Sequence, residues 1–246
     1  MKKAFVNRIL SKFNIELHGT SYMQSLRKSA VTPDVFEKQK ELLGNNVNVI
    51  FDLGANYGGV SKEYKKQFPN ATVYGFEPFP QMFARLSDYV KDLSDVHVFQ
   101  KAVAATSGKQ TFFVNELADT NSLLASQEIG LRSDEQVKNK SSIEVETISI
   151  DEFCSSNNIS HIDILKMDIQ GGELDALKGA KQLLLAKKIK LIYTESYFVP
   201  QYVNQPLFQD ISTFLFECGY QVQDIYNPYY GKGCLAWCDA IFLPKQ

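Results

Sequence analysis

Four acidic residues each close an apolar run: Asp52 after Val47–Phe51, Glu77 after Thr72–Phe76, Asp168 after Ile162–Met167, and Glu195 after Ile189–Tyr193 and Thr194. Carboxylates in such places accept hydrogen bonds from hydroxyls, hold ammonium groups, take up protons or ligate cations. Two of them lead into glycine-rich turns. Asp52 precedes Gly54, Asn56, Gly58 and Gly59, and Asp168 precedes Gly171 and Gly172. Glycine in a turn allows positive φ and close approach of backbone to a ligand. A short β-branched-rich run that ends in such a turn, followed by the helical segment Ser61–Phe68, reads as a buried parallel strand feeding a helix. The crevice outside the carboxyl ends of such strands is where open α/β sheets bind nucleotides. The plain alternative is a turn that only joins strand to helix.

The spacing narrows the ligand. A dinucleotide site wants G-x-G-x-x-G and a P-loop wants G-x-x-x-x-G-K-[ST]. Here Asn56 stands where the second glycine should be, and no Lys-Ser/Thr follows. A pyrophosphate would lose its close approach and meet the Asp52 carboxylate. A cofactor with no phosphate and a cationic amino-acid part, S-adenosylmethionine, suits the turn better. Twenty-five positions after Asp52, Glu77 ends the second strand, where a carboxylate can accept from both hydroxyls of a ribose. Pro78 stops that strand and Phe79 offers a ring for the adenine. An NAD-dependent oxidoreductase is the rival, disfavoured by Asn56.

The elements that must carry these residues alternate strand and helix: strands over 47–52, 72–77, 96–103, 162–167 and 189–193, and helices over 61–68, 80–90 and from Glu173 on, where Leu174, Leu177, Ala180 and Leu184 recur at helical spacing. Alternation of this kind predicts an α/β fold with a mainly parallel sheet. The runs 110–115 and 143–148 alternate and are expected to pair, with a polar loop 116–142 at their end. Ser149-x-x-Glu152 is a capping-box pattern. Pro206 opens a helix stopped by Gly219. Two tail strands, 220–226 and 236–243, joined by an aromatic loop 227–233, predict an antiparallel edge. Residues 1–44 read as an N-terminal helical extension, with Thr32 and Pro33 starting a helix that Gly44 ends. Residues 45–246 read as the main domain, with a β-insertion at about 106–148.

The chain has 246 residues and a net charge of −2, with lysines and arginines scattered, so a nucleic-acid partner is not expected. No apolar stretch nears the roughly 18 residues of a membrane span. The basic start, with Phe5, Ile9, Leu10 and Phe13 at helical spacing, lacks an apolar signal core and predicts a surface helix. Cys154, Cys218, Cys234 and Cys238 show no C-x-x-C spacing, so reduced thiols in a cytoplasmic protein are expected. No zinc pattern exists. A divalent cation is compatible with the acidic residues, but nothing calls for one.

Among polar candidates, His97 and His161 lie at strand beginnings, away from the crevice, and His18 lies in the extension. Lys166, inside a strand, reads as a charge partner. Asp168 and Glu195, on adjacent strand tips, are the candidate catalytic pair, with Glu173 behind them as a candidate base or a helix-dipole partner. Tyr197, Phe198, Tyr202, Tyr229 and Tyr230 read as loop aromatics near the pocket.

Taken in order, IFDLGANYG, VYGFEP, KAVAATSGK, VETISIDEF, IDILKMDIQGGELDALKGA, LIYTES and CDAIFLP resemble the FkbM family of S-adenosylmethionine-dependent methyltransferases, from about residue 47 to 244. The resemblance implies a Rossmann-like, class I methyltransferase sheet of seven strands with helices on both faces and an antiparallel last strand. It implies O-methylation of a sugar, glycan or natural-product hydroxyl, with S-adenosylhomocysteine as product. By position, Asp52, Gly54, Asn56 and Gly58 would hold the methionine part, Asp168 would also reach the cofactor, Glu77 would take the ribose, and Phe79 and Ala102 would flank the adenine. Ser122, Gln170 and Tyr197 would face the acceptor. The family's D-V-E-G-F-E reads Asp168-Ile169-Gln170-Gly171-Gly172-Glu173 here, which removes a carboxylate at 170 and an aromatic at 172. A cofactor binder with impaired catalysis is therefore an alternative.

Overall fold

The computed structural model describes residues 34–127, 138–231 and 233–245. The extension's Phe5–Phe13 pattern, His18, Thr32 and Pro33, and part of the 116–142 loop, lie outside the described residues. Helix α1 spans Val35–Leu43, and Gly44 at φ +70 ends it, the left-handed conformation a glycine adopts freely. Asp34 accepts from the Phe36 N–H at its start. Two compact units divide the chain after Lys38.

The larger unit is built on β1 (Val49–Leu53), β2 (Thr72–Phe76), β3 (Val96–Phe99), β7 (Ile162–Met167), β8 (Ile189–Tyr197), β9 (Tyr220–Gly231) and β10 (Cys234–Pro244). They form a seven-stranded sheet in the order β3-β2-β1-β7-β8-β10-β9. Neighbours from β3 to β8 pair parallel, and β10 pairs antiparallel with both β8 and β9. The last strand in sequence is thus inserted against the direction of the rest. Helices α2 (Gly59–Gln67) and α3 (Pro80–Val90) connect the first strands. Short strand β4 (Ala102–Val103), β5 (Gly108–Asn115) and β6 (Asn139–Ile148) make a second sheet of three strands, in which the two alternating runs do pair antiparallel. Helices α4 (Ile150–Ser156), α5 (Glu173–Lys178), α6 (Lys181–Leu185) and α7 (Phe208–Glu217) follow.

Side chains alternate across a strand, so the sheet has two chemically different faces. Phe51, Leu53, Leu165, Met167, Ile192 and Phe242 belong to one apolar cluster with Phe153, Leu177, Leu184 and Leu215 from α4 to α7. The residues between them, Asp52, Lys166, Tyr193 and Glu195, fall on the other face. Register holds them in rows: Asp52 beside Lys166, Lys166 beside Tyr193, and Glu195 beside Asp239.

Four sequence expectations need correction. The run Val96–Val103 is two strands in two sheets; its apolar pattern is continuous, but the chain turns at Lys101, whose N–H bonds the Phe99 carbonyl. The helix from Glu173 is broken at Gly179, where an added Cβ would lie 2.3 Å from the Ala104 carbonyl oxygen. The Gly179 carbonyl bonds the Asp151 N–H of α4 instead of continuing the helix. Strand β8 runs on through Glu195 to Tyr197 because β10 pairs with it that far. The tail strands are also longer than read, so Tyr229 and Tyr230 sit in β9, not in a loop near the crevice. All four cysteines are free thiols.

Phe153 of α4 meets Phe51, Phe76 and Phe99 edge-on at 5.6, 4.9 and 4.9 Å between ring centroids. We expect Phe153→Ala to destabilise the protein by about 3–5 kcal/mol in denaturant unfolding. A change well under 1 kcal/mol would contradict this packing role.

Candidate active site

The first turn is shaped by where its neighbours leave room. Gly54 sits at φ +74, and a Cβ there would lie 1.9 Å from the Asp168 carbonyl oxygen. The backbone leaving β1 therefore presses against the backbone leaving β7, and only glycine permits that. The Gly54 and Ala55 N–H groups both donate to the Phe76 carbonyl, and the Asp168 N–H donates to the Leu53 carbonyl. Three strand tips are locked together. Asn56, also left-handed at φ 51, donates its N–H to Glu77 Oε2 at 3.0 Å and its side-chain amide to Asp119. Gly58 has another reason for being glycine: a Cβ would strike Leu86 and Val90 of α3, so it serves helix packing and not the crevice.

Beneath the turn, Asp52 is fully buried. Its carboxylate accepts from Ser61 Oγ at 2.6 Å and pairs with Lys166 Nζ at 3.0 Å. Lys166 also reaches the Leu53 and Gly54 carbonyls. Burial pushes this ammonium toward neutrality, but Asp52, Asp168 and Asp239 outweigh it and hold the pKa above its ordinary value. The expected pairing role of Lys166 is what the geometry gives. With these partners Asp52 supports the turn from below.

Glu77 is buried, with Oε1 accepting from the Phe79 N–H at 2.9 Å and Oε2 from the Asn56 N–H. Burial pushes its carboxyl up to about 7, against the pull of these two bonds. A carboxylate offers about four acceptor positions, so about two remain for a diol. Phe79 and Ala102 belong to one apolar cluster with Phe112 and Val145 of the small sheet, which walls the crevice beside Glu77.

At the tip of β7, Asp168 is exposed and Gln170 is left-handed at φ 55. Gln170 Nε2 donates to Asp168 Oδ1 and to Glu195 Oε2, both at 2.9 Å. Its Oε1 accepts from the hydroxyls of Tyr197 at 3.1 Å and Tyr202 at 2.9 Å. Burial first, and then the charges of Asp168 and Glu173, push the Glu195 carboxyl well above its ordinary range. Asp168 and Glu195 are thus brought together as the sequence led us to expect.

Several candidates are placed elsewhere. Glu173 is 1% exposed and accepts from the Ile169 N–H at 3.0 Å, so it pins the 168–172 turn from inside and does not face the crevice. The Ser122 hydroxyl, fully buried, donates to the Gln170 carbonyl and accepts from the Leu124 N–H. That tether leaves it no contact for an acceptor. Tyr197 is buried with its hydroxyl on Gln170, and Tyr229 stacks on Trp237 at 3.8 Å in the hairpin. The space an aromatic at 172 would enter is occupied by Ile169, 3.2 Å from a Cβ built on Gly172. His97 packs on Tyr74 and His161 faces Asp163, both far from strand tips in register.

Sequence reasoning missed Asp239, which accepts from Tyr193 Oη and Asn227 Nδ2 at 2.7 Å each. Burial pushes its carboxyl upward. An aspartate inside the apolar stretch Ala236–Leu243 was the available signal. Among the described residues no group of three or more His, Cys, Asp and Glu is arranged to hold a metal ion, and no helix is long and apolar enough to cross a membrane. A separate groove of about 610 Å³ lies between Ala105, Ser149 and Leu185 and shares no residue with the crevice.

Residues 52–222 match the family model described as the methyltransferase FkbM domain. The 2-O-methyltransferase NoeI of Sinorhizobium fredii is 27% identical over 194 residues, 76% of each chain. The hexuronic acid methyltransferase AglP of Haloferax volcanii is 24% identical over 65% of this chain and 61% of its own. The solved magnesium protoporphyrin IX methyltransferase of Synechocystis is 10% identical, covering 100% of this chain and 98% of that one at a TM-score of 0.48.

Two outcomes follow from the geometry. Lys166→Met strands the buried Asp52 charge and should cost about 3–5 kcal/mol in chemical unfolding, with Lys166→Met/Asp52→Leu recovering part of it. A single variant as stable as the wild type would contradict the pairing. Glu77 and Glu173 both ionise near 7 when folded, against an ordinary value of 4.5. Folding therefore takes up protons across that window, and stability falls as pH rises from about 4.5 to about 7. Melting curves across this range should show a shallower fall for Glu173→Gln than for the wild type; an identical slope would refute the buried titration.

Proposed function

The chain belongs to the FkbM methyltransferase family, and from that premise we propose that it is an S-adenosylmethionine-dependent O-methyltransferase acting on a hydroxyl of a sugar, glycan or natural-product acceptor. The observation that carries this reading is the Gly54–Asp168 backbone contact, which with the Gly54 and Ala55 bonds to the Phe76 carbonyl brings the strand tips that bear Glu77 and Asp168 to either side of Gly54. The relatives described as a 2-O-methyltransferase and a hexuronic acid methyltransferase support a sugar acceptor. When bound, the cofactor supplies an electrophilic methyl group on a sulfonium. Glu77 would accept from the ribose hydroxyls, Phe79 and Ala102 would flank the adenine, and Gly54 and Asn56 would hold the methionine part. Asp168, exposed at the rim, takes the proton of the acceptor hydroxyl as the new bond forms, with Glu195 beside it. Such a base contributes roughly 10²–10⁴-fold. The free thiols suit a reducing cytoplasm.

The alternative, a binder without turnover, is motivated by Gln170 and Gly172. Gln170 donates to both Asp168 and Glu195, which supports a working site. Calorimetry with S-adenosylmethionine, S-adenosylhomocysteine and NADH should give micromolar binding of the first two only, weakened about tenfold or more by Glu77→Ala. Methyl-labelled S-adenosylmethionine with a panel of neutral methyl hexosides, 6-deoxyhexosides and hexuronides should label one class, and Asp168→Asn should lower kcat while keeping cofactor affinity. NADH binding in place of the other two would overturn the reading.

A further inference from the structure

Gln170 is held by more hydrogen bonds than a residue that only lines a pocket requires. Both N–H donors of its amide are spent on carboxylates, one on Asp168 and one on Glu195, 25 positions away on the neighbouring strand. Its oxygen faces the hydroxyls of Tyr197 on β8 and of Tyr202 in the loop beyond, and the Tyr202 hydroxyl also reaches the Thr120 carbonyl at 2.9 Å. Its own carbonyl accepts from Ser122 at 2.7 Å. The two carboxylates, which only accept, demand the nitrogen side, and that orients the amide.

We infer that Gln170 is the positioning residue of the methyl-transfer site, its amide bridging Asp168 and Glu195 so that each is committed at one oxygen and Asp168 Oδ2 is left to the acceptor. The inference rests on the functional reading above and deepens it. Two acidic side chains this close repel when both are ionised, and a neutral donor between them separates them without adding charge. An ionised carboxyl at 170 would be a third charge beside these two, and a protonated one would donate to one neighbour where the amide donates to both. The left-handed backbone at Gln170 and Gly171 aims the side chain back across the strand tips, and Ser122 fixes that turn. The bridge therefore acts on the base through Asp168, without touching the acceptor.

Gln170→Glu and Gln170→Ala are the variants to make, with Tyr202→Phe as a control that keeps the bridge. In the labelled-methyl assay Gln170→Ala should lose about tenfold or more in kcat, while KM for S-adenosylmethionine stays within about twofold. Tyr202→Phe should lose far less. Gln170→Ala, folded by circular dichroism, with wild-type kcat overturns the inference. A second readout needs no acceptor. The chain's single tryptophan, Trp237, lies 6.1 Å from the Tyr197 ring, so its fluorescence reports on this cluster. Asp168, Glu173, Glu195 and Asp239, with the Lys166 ammonium, are the charges that bear on it among the described residues. Adding a carboxyl by Gln170→Glu should raise the fluorescence titration midpoint by about a unit or more. An unmoved midpoint overturns the bridge, and it does so even if the wild type methylates nothing, which would sink only the functional reading.

Discussion

The Lys166 ammonium, buried under the tips of β1 and β7, is the interaction on which the rest of the site depends. It sits 3.0 Å from Asp52 and within reach of the Leu53 and Gly54 carbonyls, so one positive charge holds a carboxylate and two backbone oxygens of the strand that opens the crevice. The same sheet face carries Asp168, Glu195 and Asp239. Of these, Glu195 and Asp239 are taken out of water, where like charges repel and the neutral form is favoured. Burial does push Glu195 and Asp239 upward. The ammonium and the hydroxyl and amide donors around them limit that repulsion.

From this pair the architecture follows outward. Pairing Asp52 with Lys166 fixes β1 beside β7, which brings the Gly54 backbone onto the Asp168 carbonyl. That contact sets the distance between the two glycine-rich turns, and with it the span between Glu77 on one side and Asp168 with Glu195 on the other. Inserting β10 antiparallel beside β8 carries β8 on to Tyr197, so that Glu195 is held inside a strand rather than on a loose end. The apolar face carries the core, and the polar face carries the residues proposed for the chemistry.

Much of the frame was legible because its signals are local. Ile162–Met167 and Pro80–Val90 were read with the bounds the structure gives them, since an apolar run and a proline-started amphipathic stretch declare themselves. Asp168 and Glu195 were legible from their place at strand tips. What failed depended on contacts distant in sequence. Nothing around Gln100 and Lys101 says that the chain changes sheet there. Gly179 breaks a periodic helix only because the Ala104 carbonyl comes against it. Gly58, Ser122 and Glu173 have residue types that suit a site, yet α3, the Gln170 carbonyl and the Ile169 N–H claim them. Gln170 itself could be seen as a departure from the family pattern, but its meaning lay in partners up to 48 positions away.

The most direct test of the account is a structure of the protein crystallised with S-adenosylhomocysteine. The ribose hydroxyls are predicted to lie on the Glu77 carboxylate, the adenine between Phe79 and Ala102, and the sulfur facing the Asp168 rim. A ligand seated in the separate groove between Ala105, Ser149 and Leu185, or a ribose away from Glu77, would contradict the site at its foundation.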